Sequence, residues 1–387
     1  MNNDGVDVTR PENRRTDLNE ATRVLPAFSS SRLRLARSSR GMSQTELANR
    51  MTERGVTTRG PSVSQIEAGR TRPSAGALAA MSNILEHPVS FFAGPTDELP
   101  HEADQLVHWR RLTTTPARER GRAGAFARYI QLFLAGTANY NVDLPALNLP
   151  SVPLGENDDV SIAVQAASKT RGHLGLGDGP MSTVVGAAEK AGVVAVRAPQ
   201  GEFDRRIDAF AITDCNPPIM ILGIEKDDWD RSRFDAAHEL GHVVMHRHLV
   251  NSTNGQRWQE AQAHAFAAEF LMPAERIVAE LPSQFDVGQF LALKQKWGVS
   301  IQALVRRSRD LEQLSHSRYV SAAKRMSSWG WRTANGEPGV RRPLEEPTVL
   351  KAIVKELDAA RNLHPLLEDL GLPQGFLAQI SAHSDER

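Results

Sequence analysis

Residues 232–248 read S-R-F-D-A-A-H-E-L-G-H-V-V-M-H-R-H and contain the motif H-E-x-x-H. Apolar residues recur there at helical spacing, so we predict a helix with Ser232 as its N-cap. Because histidines four residues apart share one face of a helix, His238 and His242 can reach the same metal ion. Glu239 lies about 100° further round the helix, where a carboxylate can act as general base and then acid. The motif predicts zinc-assisted hydrolysis.

A catalytic zinc has three protein ligands, and the third is expected on a separate element. Eighteen residues after His242 begins E-A-Q-A-H-A-F-A-A-E-F-L-M-P, a helical stretch whose alanines allow close packing on the first helix. Glu260 opens this stretch, as the glutamate ligand does in thermolysin-like zincins, and we predict it as the third ligand. His264, one turn later, is predicted to orient His238 or to serve as an alternative ligand.

Some residues of this region have simpler interpretations. His238 and His242 could be ordinary core histidines, although the adjacent glutamate and the second helix disfavour this. His246 and His248 extend the histidine run, and we predict that they interact with the C-terminal end of the helix dipole rather than with a metal. Glu269 is predicted to be a solvated carboxylate.

The two stretches together resemble a known family. F-D-A-A-H-E-L-G-H-V-V-M-H followed by E-x-x-A-x-x-F-A-x-x-F-L-M-P is similar to the ImmA/IrrE metallo-endopeptidases, over about residues 160–310. The resemblance implies a zincin-like fold, a Zn²⁺ cofactor with Mn²⁺ as the alternative, and cleavage of a helix-turn-helix repressor that controls stress or mobile-element genes. Where the family usually carries Asn, this chain has His264, which leaves the surroundings of the ligands open.

Residues 30–74 carry nine arginines against three glutamates, whereas the whole chain balances at 46 basic and 46 acidic residues. Such a basic island indicates a nucleic-acid contact, although a solvated face is the commoner explanation of a charge run. Within it, M-S-Q-T-E-L-A and S-Q-I-E-A-G-R-T-R-P-S resemble the Xre-type helix-turn-helix of phage repressors. Ser43 and Glu46 form a capping box at the second helix.

The Xre resemblance implies that the third helix enters the major groove. The implied DNA contacts are Gln44, Ser62, Ser64, Gln65, Arg70 and Arg72. Gln65 can be bidentate to adenine, and the two arginines would bind phosphates. The chain departs from the pattern in the longer stretch 52–60 and in Pro61. The alternative is a helical module that binds only protein.

We predict an α+β protein in which an all-α helix-turn-helix domain precedes a zincin-like metallopeptidase domain with a small sheet and a second helix-turn-helix-like region. The expected segments are a flexible tail (1–29), the Xre-type domain (30–95), a helical connector and linker with a helix at 116–139 (96–157), the zincin-like domain (158–282), the second helix-turn-helix-like region (283–324) and a C-terminal extension (325–387). The predicted strands are 193–196, 207–212 and 219–224. One edge of this sheet would hold an extended peptide. Arg306, Arg307 and Arg309 in the second region could contact DNA, or that region could serve packing or substrate recognition.

The remaining expectations concern location and partners. The chain lacks a long apolar run and a signal peptide, so we expect a cytoplasmic protein with no membrane partner. Cys215 is the only cysteine, which rules out an internal disulfide. Expected partners are a DNA operator and a repressor substrate, cleaved in trans or as the chain's own N-terminal domain, and a homodimer is allowed. The alternative is a transcription factor or antitoxin-like regulator whose zincin domain senses a ligand or metal without proteolysis.

Overall fold

The computed structural model describes residues 11–56, 60–94, 107–109, 115–201, 203–247, 249, 257–333, 336–373 and 375–381. The chain divides into two compact units: unit 1 comprises Met1–Asp104, Pro116–Asp143 and Val354–Gln379, and unit 2 comprises Gln105–Thr115, Leu144–Ile353 and Ile380–Arg387. The described residues are mostly helical with one small mixed sheet, which confirms the α+β class.

The helices and strands follow in chain order: α1 Pro11–Val24, α2 Ser30–Ser39, α3 Gln44–Glu53, α4 Gly60–Glu67, α5 Ala75–Leu85, β1 Val107–Trp109, α6 Ala117–Gly136, α7 Val160–Leu174, α8 Val185–Lys190, β2 Val194–Arg197, β3 Ala209–Ile212, β4 Ile219–Leu222, α9 Trp229–Met245, α10 Arg257–Leu271, α11 Ala274–Ile277, α12 Val287–Trp297, α13 Ile301–Asp310, α14 His316–Ser328, α15 Val349–Ala359, α16 Leu363–Leu370 and α17 Phe376–Ser381. Short 3-10 turns cover Leu25–Ala27, Val89–Phe92 and Thr137–Tyr140. No helix in the described part of the chain has the length and apolar character that crossing a membrane requires.

Serine side chains begin three helices of unit 1. Ser29, Ser43 and Ser74 precede α2, α3 and α5, and each hydroxyl accepts a hydrogen bond from the backbone N–H three residues on. A serine N-cap stabilises a helix by about 1 kcal/mol relative to alanine. The helix predicted to start after Ser43 is present as α3.

The N-terminal stretch differs from the prediction of a flexible tail at 1–29. Residues 11–24 form α1, which packs against α5. Ala21 is fully buried, and Asn83 of α5 donates a hydrogen bond to Asp17 at 3.2 Å. The polar composition of the stretch suggested disorder, but a single small buried residue allows close approach of two helices. Residues 1–10 lie outside the described part of the chain.

The predicted segment 96–157 is not a single connector. Its expected helix is present as α6, which packs against α2 and α16 within unit 1. From Ala123 to Leu134 nearly every residue of α6 is buried, including Phe133, so this helix belongs to the core of unit 1. Residues 105–115 and those from Leu144 onward belong instead to unit 2.

The sheet of unit 2 has the strand order β1-β3-β4-β2. β3 and β4 are antiparallel, with Ala209 opposite Leu222, and β4 and β2 are parallel. These are the three predicted strands, all of them fully buried. β1 was not predicted because three residues carry no clear period, and it pairs antiparallel with the outer side of β3. Among the described strands, β1 and β2 therefore form the two edges of the sheet.

The helices α7, α9 and α10 pack on one another beside this sheet. Gly241 of α9 faces α10, and a Cβ atom placed there would lie 3.0 to 3.2 Å from the side chain of Phe266. Ala263 and Ala267 of α10 are also fully buried. Small residues on the two helices therefore set the short distance between them.

The region 283–324 is not separate from the predicted peptidase domain. Its helices α12 and α13 belong to unit 2, and Phe290 and Trp297 lie in the same hydrophobic core as α9 and α10. Arg307 is buried, pairs with Glu269 of α10 and donates a hydrogen bond to the carbonyl of Met272 at 3.1 Å. Glu269 was predicted to be solvated, but it is buried because it neutralises this arginine. Arg307 therefore serves packing.

The predicted C-terminal extension, 325–387, is likewise divided between the two units. In unit 2 the carboxylate of Glu345 pairs with Arg233 of α9 and accepts hydrogen bonds from the N–H groups of Val184 and Val185, both at 2.8 Å. The Glu345 carbonyl accepts hydrogen bonds from Arg197. This segment therefore ties the start of α8 and strand β2 to α9.

Candidate functional site

The helix α9 begins four residues earlier than predicted. Asp228 is its N-cap and accepts a hydrogen bond from the N–H of Arg231 at 3.2 Å. Ser232, the predicted cap, lies within the first turns and accepts a hydrogen bond from Arg197 at 2.9 Å. An aspartate is as good a cap as serine, so the longer helix gains an additional turn before the histidines.

The structure brings together His238, His242 and Glu260, the three predicted ligands. The two Nε2 atoms lie 3.2 Å apart. Glu260 of α10 places one carboxylate oxygen 3.4 Å from Nε2 of His238 and the other 3.5 Å from Nε2 of His242. Among the described residues, these three form the group of ligand atoms within 4.8 Å of one another.

The spacing of these atoms fits a tetrahedral metal ion. With metal–nitrogen bonds of about 2.0–2.1 Å, neighbouring ligand atoms in a tetrahedral site are about 3.3 Å apart. The observed separations of 3.2, 3.4 and 3.5 Å lie around that value. Two imidazole nitrogens and a carboxylate are also the donor set of hydrolytic zinc sites. The residues present therefore fit a divalent cation.

The burial of the site is uneven. The side chains of His238 and His242 are 2% and 1% exposed, whereas that of Glu260 is 26% exposed. Burial would raise the pKa of the Glu260 carboxyl, but the adjoining imidazole rings of His238 and His242 outweigh this effect and hold the pKa below its usual range. Glu260 is therefore anionic at neutral pH, and the site opens to solvent on its side.

Glu239, the predicted general base, is completely buried next to His238 in the sequence. A helix turns about 100° per residue, so its carboxylate leaves α9 beside the histidine face rather than on it. A carboxyl removed from bulk water in this way can exchange a proton with a bound water molecule. Its catalytic role stays a prediction.

His246 and Gln262 also belong to the site, although neither was predicted to lie there. His246 ends α9, is 1% exposed, and places Nδ1 2.9 Å from Nδ1 of His242. Its Nε2 lies 2.8 Å from Oε1 of Gln262, which is also 1% exposed. His246 was predicted to lie at the end of the helix, and it is the C-cap of α9; its ring contacts the second ligand in addition. Its spacing of four residues from His242 was the signal available in the sequence.

The ring of His264 lies against Phe234, with ring centroids 5.0 Å apart. Phe234 is one turn before His238 on α9, and His264 does not belong to the group of converging ligand atoms. Its proposed influence on His238 stays a prediction. His248 lies outside the described residues.

The residues predicted to contact DNA lie in unit 1. Ser62, Ser64 and Gln65 on α4 are exposed, and so are Arg70 and Arg72 in the loop that follows. Val63 and Ile66, between them in the sequence, are buried. The exposed face of α4 is therefore the one that the Xre resemblance assigns to base reading.

Gln44 has a different environment. Its amide donates a hydrogen bond to Glu67 at 2.7 Å, and Arg37 pairs with the same carboxylate at 2.5 Å. Glu67 is 2% exposed, so this network joins α2, α3 and α4 from within. Gln44 thus contributes to the packing of the three helices as well as lining their surface.

Comparison with known proteins adds one finding. No curated protein matches the chain. Residues 188–309, which carry both helices of the site, match the family model described as Peptidase_M78, IrrE N-terminal-like domain, and this part of the chain is thus similar to a metallopeptidase-type family.

Proposed function

We propose that unit 2 is a zinc-dependent endopeptidase. The observation that carries this proposal is the convergence of His238, His242 and Glu260 at tetrahedral spacing. When bound, zinc would polarise the scissile carbonyl and lower the pKa of the attacking water. Glu239 would accept the proton of that water and then donate it to the leaving amine.

The proposed substrate is a helix-turn-helix repressor, cleaved in trans or as the chain's own N-terminal domain. This substrate class is what the resemblance of the two motif stretches to the ImmA/IrrE metallo-endopeptidases implies. Cleavage would control stress or mobile-element genes. The sheet supports a peptide substrate as well, because an extended chain can add to an edge strand through its backbone.

The first test is metal content, measured by elemental analysis of protein purified without a metal-affinity tag. We expect about one zinc per chain, lost in His238→Ala and Glu260→Ala. The matched control is His173→Ala, which removes an exposed histidine of α7. A wild-type protein that contains no metal after supplementation would contradict the proposed site.

The second measurement is cleavage of candidate repressors by the Glu239→Gln variant. We expect this variant to retain zinc and to lose about 10²–10⁴-fold in rate, which is the usual contribution of a general acid–base. Glu275→Gln, a change at an exposed glutamate of α11, should cleave at the wild-type rate. Zinc-loaded wild-type protein that cuts no repressor would favour the alternative, a regulator that senses a ligand or metal without proteolysis.

We further propose that helices α2 to α5 bind duplex DNA, with α4 in the major groove. The exposed serines and glutamine of α4 and the basic surplus of residues 30–74 support this proposal.

Gln65→Ala should weaken the free energy of DNA binding by about 1–3 kcal/mol and relax the base preference at one position. Replacing Arg70 and Arg72 by alanine should remove about two phosphate contacts, so the affinity for DNA should fall less steeply as the salt concentration rises. Arg50→Ala, at a half-exposed residue of α3 paired with Glu46, is the control.

A further inference from the structure

A chain of buried hydrogen bonds leads away from the candidate metal centre. It begins at Nδ1 of His242, on the opposite side of the ring from the converging Nε2 atom. It passes through both ring nitrogens of His246 to Oε1 of Gln262. It ends at the loop before α7, where the Gln262 amide nitrogen lies 3.1 Å from the carbonyl oxygen of Gly155 and 3.3 Å from that of Asp158.

The loop determines which way the Gln262 amide points. A carbonyl oxygen can only accept hydrogen bonds, so the side of the amide that faces Gly155 and Asp158 must be its NH₂ group. The amide oxygen therefore faces His246. The loop itself is held in place, because Leu154 donates to the carbonyl of Met245 at 3.1 Å and Gly155 donates to the Asp158 side chain at 2.7 Å.

This orientation sets the proton positions on both histidines. The Gln262 oxygen accepts from Nε2–H of His246, so Nδ1 of a neutral His246 carries a lone pair. At the observed 2.9 Å, that lone pair accepts a hydrogen bond from Nδ1–H of His242. The Nε2 atom of His242 then carries the lone pair that faces Glu260 and His238.

We propose that Gln262 and His246 are positioning residues that hold His242 in its Nδ1–H tautomer, with Nε2 ready to bind a metal ion. This inference rests on the metal site of the proposed function. A metal-binding histidine usually donates its other N–H to a nearby acceptor, and loss of such an acceptor typically weakens metal binding by about 10–100-fold. Here the acceptor is a second histidine, whose own proton position depends on Gln262.

The backbone adds to the same arrangement. The N–H of His246 donates to the carbonyl of His242 at 2.8 Å, and the ring of Trp258 lies perpendicular to that of His246, with centroids 5.6 Å apart. The His246 ring is therefore held from its backbone, from Trp258 and from Gln262. It has little freedom to rotate and reverse the order of its two nitrogens.

The direct test is the ring tautomer of His242 in the zinc-free protein, read from long-range ¹H–¹⁵N correlations of the histidine rings. Wild-type protein should show the Nδ1–H form. Gln262→Leu and His246→Phe should shift His242 toward a mixture of both forms. His246→Asn should restore the Nδ1–H form, because its amide oxygen can accept where Nδ1 did. An Nε2–H tautomer in the wild-type protein would overturn the inference.

The second readout is zinc affinity, measured by competition with a chromophoric chelator. We expect Gln262→Leu and His246→Phe to raise the Kd by about 10–100-fold, and His246→Asn to stay near the wild-type value. Gln289→Leu, the same change at an exposed glutamine of α12, is the matched control. An unchanged zinc affinity in both Gln262→Leu and His246→Phe would contradict the inference, although the metal site itself would still stand. If the wild-type protein bound no zinc, the proposed function would fail, and the tautomer measurement would still decide the inference.

Discussion

His87 is a buried titratable residue of unit 1, 4% exposed, that lies outside the candidate sites. Its Nδ1 is 2.7 Å from the carbonyl oxygen of Leu85, and its Nε2 is 2.6 Å from the hydroxyl of Tyr129. Burial lowers the pKa of His87 from 6.5 to about 4, against a smaller opposing effect of the Leu85 carbonyl. The same burial raises the pKa of Tyr129. Both side chains are therefore neutral in the folded protein at neutral pH.

The lowered pKa of His87 predicts a pH dependence of stability. The unfolded chain takes up a proton at His87 below about pH 6.5, whereas the folded chain resists protonation until about pH 4. The neutral His87 therefore contributes fully to the free energy of unfolding above pH 6.5, and about 3 kcal/mol of this free energy is lost as the pH falls to about 4. Urea unfolding followed between pH 7 and pH 4 should show this loss. His87→Gln should flatten it, and His173→Gln should not.

At the scale of elements, the close packing of α9 on α10 brings Glu260 to the two histidines. Gly241 permits this packing, because a Cβ atom there would lie 3.0 to 3.2 Å from Phe266. Gly241 thus has a structural role within the H-E-L-G-H motif, whose histidines and glutamate carry the proposed chemistry. Gly172 of α7 provides a contrast, since no atom beyond its chain neighbours and its own helix backbone lies within 4 Å of the position its Cβ would take.

These two glycines predict opposite effects of the same substitution. Gly241→Ala should destabilise unit 2 by about 1–3 kcal/mol, because the helices must separate, and should weaken zinc binding. Gly172→Ala should stabilise it by about 0.5–1 kcal/mol, because alanine is the better helix former. Chemical denaturation and zinc competition measure both. A Gly241→Ala protein that is as stable as wild type and binds zinc equally well would show that the metal site does not require this close approach of α9 and α10.

At the scale of the whole molecule, the division into two units separates the proposed activities. The candidate metal centre lies entirely within unit 2, and the predicted DNA-binding residues lie entirely within unit 1. The C-terminal region contributes to both units, since residues up to Ile353 belong to unit 2 and Val354–Gln379 to unit 1. Stability effects of zinc should therefore concern unit 2.

A ligand that binds only the folded state stabilises it, by about 2.7 kcal/mol at a concentration 100 times its Kd. Calorimetry of the full chain should show a zinc-dependent rise of the transition in which unit 2 unfolds. His238→Ala should abolish the rise. Substitution of Arg70 and Arg72 in unit 1 should leave it unchanged, and a rise that persists in His238→Ala would place the zinc elsewhere.

Features that depend on local interactions could be predicted from the amino-acid sequence alone. The i to i+4 spacing places His238 and His242 on one helix face, and Ser43 begins α3 through a bond to its own third neighbour. Apolar runs between turns predicted the buried strands β2, β3 and β4, and the alanine-rich stretch after the motif predicted a helix. These patterns involve only neighbouring residues, so they predict the helices and strands without any knowledge of contacts between distant parts of the chain.

The residues that surround those elements depend on contacts between distant parts of the chain and could not be predicted. The sequence predicted the helix-end position of His246 but not its contact with Gln262, and Glu269 was predicted to be solvated although it pairs with the buried Arg307. The same holds for the boundaries, because residues 11–29 and 116–143 join unit 1 through contacts with segments distant in the chain. Burial depends on which surfaces meet, and that is a property of the whole fold rather than of any local stretch.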